Sequence, residues 1–224
     1  MHKRIICLFF VFIALCATVL TAQTNDFLTW SSVGLDYKAG KHWDFELETQ
    51  FRLKDNSTTV DEYFAQFQTN RKLYKGLKLG FAARYIREND DQGNIQGYEN
   101  HFRYHIDLRY RAKANRFRFK YRVRYQRKNE LGVSDEARQF IRFKSALEYQ
   151  IKDWKLDPEF AAEWFNRIAD DRGRANQYRL TFGTDYKLKN AGKLGIFLRF
   201  QSDLEAVDRE RDYILGVKYR YTIK

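Results

Sequence analysis

Proton-transfer chemistry in this chain would run through His42, His101 and His105, because the fourth histidine, His2, belongs to an apolar leader. In an extended strand His101 and His105 share a face with Asp107, the setting in which a carboxylate orients an imidazole for acid–base work. The nucleophile is harder to find. Ser145 falls on the apolar side of its segment, Ser57 and Ser134 fall in connections, and no Gly-x-Ser-x-Gly turn occurs. Histidines four apart meet on a helix but stand about 13 Å apart along a strand, so no zinc site follows. Asp90, Asp91 and Gly93 make at best a weak calcium loop, and Gly93 and Gly97 read as turn residues, not as a phosphate-binding loop. Both cysteines, Cys7 and Cys16, lie in the leader, which excludes disulfides, thiolate metal sites and cysteine nucleophiles from the rest. The expectation is a non-enzyme without cofactor or metal, with a membrane lipid-modifying enzyme as the weaker alternative.

The stronger chemical signal is positive charge. Arg103, Arg109, Arg111, Arg116, Arg118, Lys120, Arg122 and Arg124 occupy one side of two successive segments, alternating with aromatic and aliphatic residues. Like charges at that density repel, so they need partners. Asp44, Glu46, Glu48, Asp157, Glu159 and Glu163 lie on the matching side of other segments. The first reading is an interior filled by cross-lumen ion pairs. The second is an anion-favouring pore or a pocket for an anionic ligand, since rings of Arg or Lys select anions. A basic run with interleaved aromatics also suits nucleic acid, but export from the cytoplasm argues against that partner.

These charges are positioned by alternation. From Trp43 to Lys54 apolar and polar residues change places at every step: Trp43, Phe45, Leu47, Thr49, Phe51 and Leu53 oppose Asp44, Glu46, Glu48, Gln50, Arg52 and Lys54. Strand side chains point to opposite faces in turn, so this is a ribbon with one oily and one charged face. Its length is unusual for a soluble sheet and suits a tilted strand crossing a bilayer, which needs roughly 9–11 residues. The pattern recurs at Leu77 to Tyr85, Phe102 to Tyr110, Arg116 to Tyr125, Ile141 to Ile151, Trp154 to Trp164, Tyr178 to Leu188 and Tyr213 to Ile223. Tyr63 to Leu73 and Leu194 to Ser202 are fainter copies, and Val33 to Tyr37 gives half a strand.

Tight links at Lys38 to His42, Tyr74 to Gly76, Lys113 to Asn115, Lys152 to Asp153 and Lys189 to Gly192 alternate with longer stretches. The longer ones are Asp55 to Thr59, Glu88 to Asn100, Lys128 to Glu136, Ile168 to Ala175 and Asp203 to Arg209. Short turns at one end and long loops at the other mark the periplasmic and external ends of an outer-membrane barrel. A soluble barrel with the oily face inside has the same period, but strand length, loop asymmetry and the rings Trp43, Tyr85, Tyr110, Tyr125, Tyr149 and Trp154 near strand ends favour a lipid-facing exterior. Eleven segments are countable, and bacterial barrels usually have an even number, so a barrel of ten to twelve strands is expected.

His2, Lys3 and Arg4, the apolar run Ile5 to Leu20 and the small Ala22 before a polar stretch read as a secretory signal peptide, residues 1–22, with the barrel domain over 23–224. Removing Lys3 and Arg4 takes the formal charge from +12 to +10. That excess suits contacts with anionic outer-membrane lipid and lipopolysaccharide. The expected location is the outer membrane of a Gram-negative bacterium.

Trp30, the run Asp44 to Arg52, Glu99 to Tyr104, Phe119 to Tyr125, Asp157 to Phe160 and Glu163 to Phe165 together resemble the domain of unknown function 2490 family of outer-membrane proteins. The resemblance covers essentially the whole mature chain. It implies an antiparallel transmembrane β-barrel and no established activity. The last strand, Gly216 to Tyr221, is similar to the C-terminal signal read by the barrel-assembly machinery, although the chain ends in Lys224 and not in an aromatic residue.

Overall fold

The computed structural model describes residues 25–91, 96–134, 137–169, 176–189, 192–204 and 210–223. The expected signal peptide, Cys7, Cys16 and Gly93 lie outside the described residues. Eleven strands follow one another: β1 (Asn25–Ala39), β2 (Trp43–Lys54), β3 (Thr59–Tyr74), β4 (Leu77–Asp90), β5 (Gly97–Ala114), β6 (Phe117–Glu130), β7 (Arg138–Tyr149), β8 (Leu156–Ala169), β9 (Gln177–Lys187), β10 (Lys193–Asp203) and β11 (Arg211–Ile223). Each pairs antiparallel with its neighbour in sequence, and the sheet closes where β1 and β11 pair parallel, from Asn25 opposite Arg211 to Tyr37 opposite Ile223. Closure leaves no open edge, so every wall strand is paired on both sides.

Eleven strands lie within the expected ten to twelve, although the count is odd where an even one is usual. An odd number forces the first and last strands to run the same way, and the parallel seam is the consequence. The segment that looked like half a strand is a full one, because Leu28 and Trp30 point inward and break the alternation. They are buried with Phe197 and Ile214 in an apolar cluster inside the barrel. Gly216 makes that cluster possible: a Cβ there would run into the Phe197 ring. Residues Asp55 to Thr58 are also tighter than expected. They form a four-residue turn in which Asp55, Asn56 and Ser57 all have positive φ. The Asp26 carboxylate holds it by accepting the Asp55 and Asn56 N–H groups at 2.9 and 2.7 Å. The loop expected from Glu88 to Asn100 is shorter as well, since β4 and β5 stay paired as far as Asp90 opposite Gly97.

The oily face is outside. Among the described residues ten hydrophobic side chains are buried, whereas several times as many large apolar ones are exposed on the wall, among them Leu47, Phe67, Phe81, Leu108, Val123, Phe160, Phe182 and Leu198. The buried set is dominated by polar groups: His105 and Asp107 are fully enclosed, with Asn70, Gln68, Arg84, Arg124, Arg142 and Glu163 around them. This is a soluble protein turned inside out, the arrangement of a transmembrane barrel.

Outward rings gather toward both ends. At the short-turn end Tyr37, Trp43, Phe45 and Phe67 form a chain with centroids 6.1 to 6.5 Å apart, and Phe117 meets Tyr149 at 5.0 Å. At the other end Tyr63 meets Tyr98 at 6.2 Å, Tyr104 meets Tyr125 at 6.4 Å, and Phe200 lies between Tyr178 and Tyr213 at 5.8 and 5.3 Å. Two such belts are what headgroup regions on either side of a bilayer attract.

Candidate functional site: the arginine-lined lumen

Inward-facing positions of every strand converge on the lumen, and many of their charges meet there. The fully buried Asp107 accepts from Arg124 through Nε at 2.6 Å and Nη2 at 2.9 Å, and from Arg109 Nη2 at 2.6 Å. Glu163 accepts from Arg122 at 2.6 Å and from Arg142 at 2.8 Å. Lys120 bridges Glu148 and Glu159, and Arg118 shares Glu148. Toward the long-loop end Arg52 pairs with Glu62 at 2.5 Å and Lys128 with Glu88. His101 lies 3.1 Å from Glu99 and 3.5 Å from Glu88. His105 Nε2 is 3.7 Å from Asp107, beyond hydrogen-bond range.

Not all the charges singled out from sequence belong to this network. Arg103, Arg109, Arg118, Lys120, Arg122 and Arg124 face the lumen, Arg111 is exposed at its short-turn mouth, and Arg116 sits in the β5–β6 turn. The acids of β2 do not reach the β5–β6 cations. Glu46 and Glu48 instead bind Arg220 at 3.1 and 2.7 Å, with Asp36 joining at 2.9 Å, and Asp44 meets Lys78. The register explains this: Arg220, Gly34 and Glu48 fall in one row across β11, β1 and β2, and the bare Gly34 lets the guanidinium lie across the middle strand. Among the described residues Asp157 meets only the exposed Lys187, at 3.5 Å.

The other half of the lumen's positive charge comes from strands that carry two or three basic residues each, so no dense run advertised it. Arg84, Arg142, Lys144, Arg179 and Arg199 all face inward. Several cations stand directly opposite one another: Arg84 and Arg103, Arg109 and Arg122, Arg124 and Arg142. Such pairs are destabilising without a counter-charge. Among the described residues no carboxylate lies within ion-pair distance of Arg84, Arg103, Arg179 or Arg199. For Arg84, Arg179 and Arg199 the support is aromatic and amide. Arg84 stacks on Phe64 at 3.3 Å and donates to Gln66 at 2.9 Å. Arg199 covers Trp30 at 4.8 Å and Phe197 at 4.5 Å, and Arg179 covers Phe165 at 4.8 Å. Arg52 packs on the opposite side of this group, 3.7 Å from Trp30.

These side chains enclose a cavity of about 390 Å³ in the middle of the barrel. Its lining includes ten arginines and Lys144 but only three acids, Glu46, Glu48 and Glu163. Two further cavities, of about 260 and 450 Å³, open toward the short turns among half-exposed lysines, arginines and acids. The long-loop half is packed, with Leu28, Glu62, Phe64, Ile86, His101 and Ile214 all buried. Among the described residues no three potential metal ligands converge.

A closed wall with an oily exterior and a charged, partly hollow interior defines the class: a transmembrane β-barrel. Within that class the chain belongs to the family described as Protein of unknown function (DUF2490), which it matches over residues 27–210. The solved beta domain of the Bordetella autotransporter Brka is similar to it at 11% identity, covering 80% of this chain and 82% of that one, with a TM-score of 0.47. No curated protein matches the sequence.

Proposed function

We propose that this protein is an outer-membrane barrel whose lumen, open toward the short turns and packed toward the long loops, holds small anions as counter-ions to its arginines. One observation carries the reading: four guanidiniums in the lumen, those of Arg84, Arg103, Arg179 and Arg199, stand without a carboxylate among the described residues. Buried charge is paired or it is costly, and an anion from solution is the partner that the geometry leaves room for. The ion-paired part of the lumen, from Asp107 to Glu163, then serves as the rigid frame of the site.

The short-turn end faces the periplasm in this reading, as it does in barrels generally. Export by the N-terminal leader and insertion by the barrel-assembly machinery complete the route. The outward-facing Arg87, exposed and 5.0 Å from the Tyr98 ring near the long-loop end, is placed to meet a lipopolysaccharide phosphate. Catalysis is not part of the proposal: Asp107 is committed to two arginines, and neither ring nitrogen of His105 has a hydrogen-bond partner among the described residues.

Chloride NMR on the folded protein in micelles tests the reading. Exchange of chloride with a fixed guanidinium site broadens the chloride line, and the broadening should fall when Arg84 or Arg103 is changed to Gln. A line as narrow as in protein-free micelles contradicts it. The packed long-loop half also predicts that planar bilayers carrying the protein show no conductance steps; well-resolved steps would establish the through-channel instead.

A further inference from the structure

Residues lining the central cavity carry a one-sided set of unused polar atoms. Trp30 Nε1, Arg84 Nη1, Arg103 Nε and Arg122 Nε are buried and have no hydrogen-bond partner among the described residues. All four belong to residues that line the 390 Å³ space, and all four are donors. They are covered as the side chains lie, so what the cavity itself meets is the rest of each guanidinium.

Charge narrows the ligand class. Arg84, Arg103, Arg179 and Arg199 lack a carboxylate partner, and the first two face each other directly across β4 and β5. One monovalent ion leaves most of that charge uncompensated, whereas several negative charges fixed on one molecule answer several guanidiniums together. Guanidinium forks match phosphoryl oxygens in geometry, and the stacking of Arg84 on Phe64 and of Arg199 on Trp30 and Phe197 holds the forks in place before a ligand arrives. A cavity of about 390 Å³ has room for roughly a dozen waters, which suits two or three linked phosphoryl groups.

We propose that the central lumen cavity is a binding site for a soluble multivalent phosphoryl oxyanion, with Arg84, Arg103, Arg179 and Arg199, the guanidiniums that lack a carboxylate, as the groups that bind it. The proposal rests on the anion-holding reading of the lumen. A soluble source is favoured over a lipid headgroup because the wall is paired at all eleven seams, so the cavity communicates with solvent through the lumen and not with the bilayer.

Displacement of chloride by inorganic pyrophosphate tests it on the whole folded barrel. Micromolar pyrophosphate should sharpen the protein-broadened chloride line with one-to-one stoichiometry. Acetate at the same concentration should have no effect, and orthophosphate should bind at least about tenfold more weakly, as loss of a charge-assisted contact implies. Arg103→Gln, checked for folding by its unboiled gel mobility, should weaken pyrophosphate at least about tenfold. The exposed turn variant Arg116→Gln should leave it unchanged. Broadening that pyrophosphate does not reverse, or reverses no better than acetate, overturns the proposal and leaves the anion-holding reading standing. Absence of broadening removes both. The wild-type competition decides the matter even if a variant fails to fold.

Discussion

Asp107 and Arg103 are opposite cases of buried charge within one strand. Asp107 is fully enclosed and binds two guanidiniums, so Asp107→Asn strands Arg109 and Arg124 and should lower the unfolding free energy by about 3–5 kcal/mol, read from urea midpoints in lipid vesicles. Arg103 has no carboxylate partner, so Arg103→Met should leave the midpoint unchanged or raise it; a loss as large as that of Asp107→Asn would mean that Arg103 is paired after all. A pH-dependent contact lies outside the wall. The Asp91 carboxyl, just beyond β4, is held below its ordinary value chiefly because Lys54 Nζ donates a hydrogen bond to it at 2.7 Å. The folded value being the lower one, this contact contributes fully above the ordinary carboxylate range near pH 4 and is lost as pH falls through the lowered value. Carboxyl NMR should show the Asp91 midpoint rising in Lys54→Met; an unmoved midpoint would deny the contact. At this scale the sequence revealed the arginines of β5 and β6 because they form a run. Arg84, Arg142, Arg179 and Arg199 belong to strands without such a run, and only closure of the barrel brings them together.

Among the elements, β1 was the hardest to read and is the most informative. Alternation identifies a strand only while all its apolar residues face lipid, and Leu28 and Trp30 face the lumen instead. With its uniform lipid face β2 was legible to the residue, and β6 was legible at its start but runs on to Glu130, past the expected Tyr125. The parallel pairing of β1 with β11 was not legible, because nothing local distinguishes a strand that closes a barrel in parallel from one that closes it antiparallel. The cluster at this seam depends on Gly216 leaving room for Phe197. Gly216→Val should therefore cost about 1–3 kcal/mol in the same urea assay, and Phe197→Ala in the same chain should restore most of it. Equal destabilisation in the single and double variants would show that the seam does not rely on that fit.

For the whole molecule, alternation established two faces and left open which of them is inside. Loop asymmetry and aromatic ends pointed outward for the oily face, and the structure agrees: belts of rings lie at both ends of an apolar wall around a charged interior. That inversion underlies the anion-holding lumen and the phosphoryl site alike, because the same arginines turned into water would need no partner. The four tryptophans report on it directly. Trp43 and Trp164 are exposed on the outer wall and Trp154 in the β7–β8 connection, whereas Trp30 is buried in the lumen beside Arg52 and Arg199. Single-tryptophan variants refolded into vesicles with brominated acyl chains should show strong quenching at Trp164 and almost none at Trp30. Quenching at Trp30, or an unquenched Trp164, would contradict a barrel with hydrocarbon outside and charge within.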